Sequence, residues 1–107
     1  MNVITNNNIK CTIALTALQQ VKDPEIGLNV VDLGLIYELE FDEEGRNINA
    51  QMTLTTQYCP MGGSIVDGVT NALRTTFNSE EVNVKLTFDP RWNHERISDS
   101  GKEFLNK

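Results

Sequence analysis

The alternation of apolar and polar positions predicts three β-strands. Apolar residues occupy every second position from residue 35 to residue 41, and again from residue 48 to residue 54. An acidic turn that contains a glycine, at residues 42–45, joins these two segments and predicts an antiparallel hairpin. The same period over residues 82–88 predicts a third strand, which Pro90 ends. Because each strand has one apolar face, only one side of the sheet is expected to be buried.

A helical period precedes the hairpin. From Ile9 onward, apolar residues recur at i, i+4 and i+7, for example from Ala14, and this spacing predicts a helix. Pro24 is expected to end that helix near Lys22. The preceding run of asparagines, residues 6–8, is typical of a frayed start that caps a helix. The stretch from residue 23 to residue 34 has no clean period and is predicted to be a structured loop.

A second helix and a short helical tail follow the hairpin. Apolar residues recur at i, i+4 and i+8 from Ile65, which places them on one helical face. Asn93 and Ser98 are candidate capping residues, so one or two short helical turns are expected in the C-terminal tail. The order is therefore helix, strand, strand, helix, strand and short helical tail.

This order, with one-sided strands, predicts a two-layer α+β domain in which helices cover one face of a small mixed sheet. A right-handed crossover through the second helix is expected to place the third strand in the same sheet as the hairpin. A chain of 107 residues is the length of one domain, so residues 1–107 are expected to form a single unit with its core at about 9–105.

Charge and the N-terminal residues narrow the functional classes. The chain has 9 Lys and Arg against 15 Asp and Glu, a net charge of −6, with no basic stripe. Because nucleic-acid binding needs clustered cations on phosphate, that class is not expected. No apolar run is long enough for a bilayer and no secretory signal is recognisable, so a cytoplasmic location without membrane contact is expected, where thiols stay reduced.

Cys59 is the residue whose context points most directly to chemistry. It follows a predicted strand and precedes the second predicted helix, with Pro60 expected at the first helical position. A helix N-terminus favours the thiolate, which is the form that ligates metal. The alternative is that Cys59 only fills a loop. Cys11 lies on the apolar stripe of the first helix and is expected to be buried and inert.

Three carboxylates, Asp23, Glu25 and Asp32, lie in the loop between the first helix and the hairpin. They are candidates for binding a metal or positioning a partner. The alternative is that the aspartates hold turns by bonding to backbone N–H groups while Glu25 is solvated. Thr55 and Thr56 precede Cys59 and offer hydroxyls to a thiolate or a cluster sulfide, although threonines also simply fit a pleated strand.

The tail supplies further candidates. Trp92 is either a core residue or a partner contact, and Arg96 is a candidate for pairing with an acid of the Asp23 loop. An arginine close to Cys59 also favours its thiolate. His94, the only histidine, is expected to be exposed, with a Cys–His catalytic pair as the alternative.

These motifs, taken together, resemble the SufT/PaaD-like family of small iron–sulfur cluster assembly factors. The resemblance runs from about residue 21 to residue 104. The matching segments, in order, are Asp23-Pro24-Glu25, residues 29–37, residues 53–56 with Cys59-Pro60, Asp89-Pro90 with Trp92, and residues 95–98. Tyr58 departs from the family pattern, which often has glycine there. The chain has no extra C-terminal cysteines of the phenylacetate-pathway branch, so general cluster assembly is expected.

The resemblance implies an α+β domain that assembles or delivers clusters on client apoproteins, together with other assembly proteins. It also implies that Cys59 is the functional thiol and that Asp23, Glu25 and Asp32 line its neighbourhood. A cluster needs about four ligands, so one thiolate per chain predicts transient binding or a cluster bridged in a homodimer.

The sequence is compatible with two other classes of function. One is a metal-free adaptor that recruits clients through the segment from Trp92 to Arg96. The other is a thiol-dependent enzyme, for which no base is tied to Cys59 in the sequence. A non-enzymatic factor is the expected class.

Overall fold

The computed structural model describes residues 3–58 and 60–106. In this part of the chain, the strands form one mixed sheet in the order β1-β2-β3-β4. The predicted α+β class is confirmed, and a short additional strand precedes the first helix. The elements in chain order are β1 (Ile4–Thr5), α1 (Asn8–Leu18), β2 (Ile36–Asp42), β3 (Asn47–Met52), α2 (Gly62–Thr76), β4 (Glu81–Leu86), a 3₁₀ turn (His94–Arg96) and α3 (Asp99–Leu105).

The sheet follows the predicted connections. β2 and β3 form the antiparallel hairpin, in which Leu39 lies opposite Ala50. β4 returns through α2 and pairs in parallel with β3, so that Val82 lies beside Ile48. This crossover places the third predicted strand in the same sheet, as expected.

The N-terminal segment is not frayed, contrary to the prediction. Ile4 and Thr5 pair in parallel with β2. The next side chain extends this pairing, because Asn6 Nδ2 donates to Phe41 O at 3.0 Å and Asn6 Oδ1 accepts from Phe41 N at 2.9 Å. Two strand residues are too few to show a period, so only the contact with β2 reveals them.

One face of the sheet is buried, as the alternation predicts. Its side chains join a hydrophobic cluster with residues of α1 and α2. Asn49 and Asn83 lie on the opposite face and are exposed. No helix in the described residues is both long and apolar enough to cross a membrane. The sheet residues of the cluster are Ile36, Leu39, Phe41, Ile48, Ala50, Met52, Val82 and the less buried Val84.

Helix α1 ends at Leu18, four residues before the predicted end. Val21 N donates to Leu18 O, which tightens the last turn, and Lys22 then forms an isolated bridge with Asn29. Pairing with the following loop therefore competes successfully with helix continuation. The start is as predicted, since Asn7 Oδ1 accepts from Lys10 N at 3.0 Å.

The two predicted caps in the tail are confirmed. Asn93 Oδ1 accepts from Glu95 N at 2.9 Å at the start of the 3₁₀ turn. Ser98 Oγ accepts from Gly101 N at 3.0 Å at the start of α3. Each bond satisfies an N–H group that has no partner within the helical turn.

Candidate functional site

The connection between β3 and α2 carries Cys59, which lies outside the described residues. Large side chains close to it in sequence are exposed, with Tyr58 at 80% and Met61 at 39% of their accessible surface. Tyr58 N donates to Thr56 Oγ1 at 3.2 Å, which forms a local turn just before the cysteine. The connection thus presents large side chains to solvent on both sides of the Cys59 position.

Helix α2 begins at Gly62, so the prediction that Pro60 is its first residue was wrong. Met61 occupies the N-cap, and Ile65 N donates to Met61 O at 3.1 Å. A Cβ on Gly62 would lie 2.7 Å from Leu54 Cδ1, so the first turn of α2 packs closely against a residue that follows β3.

A shallow cleft of about 400 Å³ borders this connection. Most of its wall is apolar, and Leu86 at the end of β4 is 40% exposed. A Cβ on Gly63 would meet nothing within 4 Å, so the space over the first turn of α2 is open. The residues that line the cleft are Leu54, Gln57, Gly62, Gly63, Val66, Asp67, Val84, Leu86 and Phe88.

Asp23 holds the acidic loop together. Its side chain is buried, at 2% exposure, and its Oδ1 accepts from Glu25 N at 2.8 Å and from Ile26 N at 3.3 Å. Gly27 N donates to Asp23 O at 2.7 Å, which closes the turn. The interpretation of Asp23 as a turn cap is therefore confirmed, while Glu25 is exposed.

Asp32 connects the loop to the tail. Its Oδ1 accepts from Ser98 Oγ at 2.6 Å, and its Oδ2 accepts from Asn29 Nδ2 at 2.6 Å. Asp32 O also accepts from Ser98 N at 2.8 Å. Both carboxylate oxygens thus have a neutral donor, and the carboxylate fixes the position of α3.

The tail is anchored on the residues that precede and begin β2. The Arg96 guanidinium lies 4.0 Å above the Tyr37 ring, and Arg96 Nε donates to Gly34 O at 3.2 Å. Trp92 Nε1 donates to Leu33 O at 2.6 Å. The sequence did not mark Tyr37 as a partner of Arg96, because their contact depends on the return of the tail.

The suggested ion pair between Arg96 and the Asp23 loop is absent from the described part of the chain, where the ion pairs join Lys10 to Glu43 and Glu80. His94 is exposed, as predicted, and its ring lies 5.2 Å from that of Trp92. The structure joins Asp32 to Ser98 of the tail, and it places Arg96 of the tail against Tyr37 and Gly34.

Thr55 is half-buried and Thr56 is exposed. Among residues 3–58 and 60–106, no hydrogen bond joins either threonine to the acidic loop, and no three His, Cys, Asp or Glu side chains form a group suited to a metal ion. The roles of Thr55, Thr56 and the acids around a cluster stay predictions.

Cys11 is buried, as expected, at 6% exposure. Burial raises the pKa of its thiol above the usual 9.0, and a hydrogen bond with Thr5 opposes this effect in part. The neutral thiol therefore prevails near neutral pH, which makes Cys11 a poor nucleophile and a poor ligand.

In a Cys59→Ser variant, Cys11 is expected to react with Ellman's reagent at least roughly tenfold more slowly in the native state than after unfolding in guanidinium chloride. Because burial raises the pKa of the thiol, the native rate should still be rising with pH beyond the usual thiol value of 9.0, where the rate of the unfolded chain levels off. Equal rates in the two states would show that Cys11 is accessible.

Residues 13–86 match the family of iron–sulfur cluster assembly proteins. The chain belongs to this family. It is 39% identical over 82 residues to the Fe-S protein maturation auxiliary factor YitW of Bacillus subtilis (strain 168), a match that covers 77% of this chain and 79% of the relative. It is 37% identical over 78 residues to the Fe-S protein maturation auxiliary factor SufT of Staphylococcus aureus (strain USA300), covering 73% and 88%.

A solved structure has the same fold. The domain of unknown function DUF59 from Bacillus anthracis superposes with a TM-score of 0.82 and 36% sequence identity, and the match covers 90% of each chain. The family resemblance stated from the motifs is thus confirmed, and the matched residues 13–86 include both the acidic loop and the Cys59 connection.

Proposed function

We propose that this protein is an auxiliary factor of iron–sulfur cluster assembly that carries a cluster as cargo and delivers it to client apoproteins in the cytoplasm. The observation that carries the proposal is the family match, which spans the segment with Cys59. The two relatives described above are named Fe-S protein maturation auxiliary factors and are not named as enzymes. Cys59 is the thiolate that holds the cluster.

The surroundings of the two cysteines support this assignment. The chain has only two thiols, and Cys11 is buried with a raised pKa. Tyr58, one residue before Cys59, and Met61, two residues after it, are exposed. The buried Cys11 cannot reach a ligand on another molecule, so the cluster is assigned to Cys59.

Ligand counting supports a shared and transient site. A cluster is held by about four ligands, and with Cys11 buried each chain has one candidate thiolate, Cys59. The cluster is therefore bridged through Cys59 of two copies, or it is held between Cys59 and a client, with small thiols or carboxylates completing the set. Incomplete ligation by the carrier favours release to a client that supplies more thiolates.

A metal-free adaptor is the second candidate, and the contacts of Asp32 and Arg96 favour it. Both oxygens of the Asp32 carboxylate already accept hydrogen bonds, and Arg96 is a cation whose Nε donates to Gly34 O, so neither side chain is a suitable cluster ligand. In that function, Cys59 is dispensable, and the surface formed by the tail and the Cys59 connection recruits clients.

The test is anaerobic reconstitution with ferrous iron and sulfide, followed by visible absorption, iron and sulfide analysis, and sizing. Wild type and the matched control Cys11→Ala are expected to gain cluster absorption and to elute as a dimer. Cys59→Ser should lose at least about 90% of the bound iron, because its hydroxyl is not deprotonated near neutral pH. Transfer to apo-aconitase should fall in parallel.

Two outcomes count against the carrier. If Cys59→Ser binds as much cluster as wild type, Cys59 is not the ligand. If wild type binds no cluster but still binds client apoproteins, the adaptor is the better assignment.

A further inference from the structure

Strand β4 forms one end of the sheet, and no described residue pairs with its outer side. Glu81 N donates to Arg46 O at 2.9 Å and Thr87 N donates to Met52 O at 2.8 Å, so both groups face β3. Because successive backbone groups of a strand point to opposite sides, the N–H and C=O groups of the even-numbered residues point outward. These residues are Val82, Val84 and Leu86.

The cleft beside the Cys59 connection continues this free edge. The side chains of Val84 and Leu86 line it on one side, and the first turn of α2 lines it on the other. Residues opposite each other on paired strands share a face of the sheet. If an extended segment of another protein paired with the outer edge of β4, its side chain opposite Leu86 would enter the open space above Gly63.

The negative charge of the cleft and of the chain indicates which residues a segment that binds at the edge of β4 would carry. Asp67, an exposed residue of α2, is the charged residue among the described residues that line the cleft, and the whole chain has a net charge of −6. An approaching segment with a lysine or arginine beside its apolar side chain complements this field, and an acidic segment is repelled.

We propose, on the basis of the proposed function, that the outer edge of β4 and this cleft dock an extended segment of the client apoprotein. The segment has apolar side chains at every second position and a lysine or arginine on the same face. Its backbone pairs with β4, its apolar side chains enter the cleft, and its cation pairs with Asp67. Gln57 and Gly62 both line the cleft and bracket Cys59 in sequence, so docking there brings the client to the connection that carries Cys59.

The first test uses a peptide of sequence Val-Thr-Leu-Thr-Lys-Thr, acetylated and amidated, and amide hydrogen exchange of the full chain followed by NMR. At saturating peptide, exchange at Val84 and Leu86 is expected to slow at least about threefold, since their N–H groups gain partners. Exchange at Asn83 and Lys85, which already face β3, should not change. The peptide with glutamate in place of lysine, and the peptide with an N-methylated backbone, should have little effect.

Two substitutions test the same surface in the intact protein. Gly63→Leu adds an apolar side chain to the lining of the cleft, and its Cβ meets nothing within 4 Å. Val84→Pro removes an outward N–H group and leaves the bonds between β4 and β3 in place. Both variants should load a cluster as wild type does and lose peptide protection, with transfer to apo-aconitase reduced about tenfold. Asn83→Ala, on the opposite face, is the matched control.

The outcomes separate this inference from the proposed function. Loading that fails in wild type defeats the carrier, whereas peptide protection at Val84 and Leu86 would still support the docking surface. Protection that is absent, or that is uniform along β4, would overturn the docking surface, as would wild-type transfer by both variants.

Discussion

Replacing Gly34 by alanine is expected to destabilise the protein by about 3 kcal/mol, the sum of a left-handed backbone and an overpacked contact. Gly34 has φ +75°, which L-residues rarely adopt. A Cβ there would also collide with Arg96 O and lie 2.7 Å from Arg96 Cβ. Because the obstacle includes backbone, the tail has to move. Thermal unfolding should show a fall in Tm of roughly 15 °C.

The displacement of the tail in the Gly34→Ala variant should be visible in the fluorescence of Trp92. Trp92 is the only tryptophan, and its indole N–H is bonded to Leu33 O. A displaced tail should shift the native fluorescence of Trp92 to longer wavelength in the Gly34→Ala variant.

Gly27→Ala is the matched control for this substitution. Gly27 has φ +83°, but a Cβ there meets nothing within 4 Å. Only the strain of the left-handed backbone remains, so the free energy of unfolding is expected to fall by about 1 kcal/mol and the Trp92 spectrum to stay unchanged. Equal losses in both variants would mean that the contact between Gly34 and Arg96 contributes nothing.

Replacing Asp23 by alanine is expected to lower the free energy of unfolding by about 2 kcal/mol, because two N–H groups lose their acceptor. These groups are the amides of Glu25 and Ile26, and the carboxylate that binds them is 2% exposed. Urea denaturation of the full chain measures the loss. Glu25→Ala, at an exposed position in the same loop, should change stability little.

Asp23→Asn separates the structural role from a chemical one. The amide oxygen of asparagine replaces Oδ1 as the acceptor, so most of the stability lost in Asp23→Ala should return. The negative charge is removed. If this variant is stable but transfers a cluster poorly, the charge of Asp23 acts on the cluster or the client. If transfer is normal, Asp23 serves the loop alone.

The candidate site was only partly predictable from sequence. The motifs marked Cys59, Asp23, Asp32 and Arg96, and the family match confirms the assembly context. What each polar group contacts could not be deduced, since a carboxylate in a loop binds a metal or a backbone N–H with the same sequence signature. The structure shows that Asp23 caps its own loop and that Asp32 binds Ser98, 66 residues later.

The elements whose signals are local were predictable from the amino-acid sequence alone. The two-residue and helical periods predicted the hairpin, the second helix and the strand that follows it, and short-range chemistry predicted the caps at Asn7 and Ser98. A hydrophobic period or a helix cap depends on residues a few positions apart, so a short stretch of sequence is enough to recognise it.

Other features arise from contacts between segments that are distant in sequence. Strand β1 exists because β2 offers it a free edge, and α1 stops at Leu18 because the following segment pairs with Asn29. The tail is fixed by Tyr37 under Arg96, a contact between residues 59 positions apart in sequence. Such contacts produce no pattern in the sequence of either segment, because a contact forms only after the folded sheet has brought the two segments together.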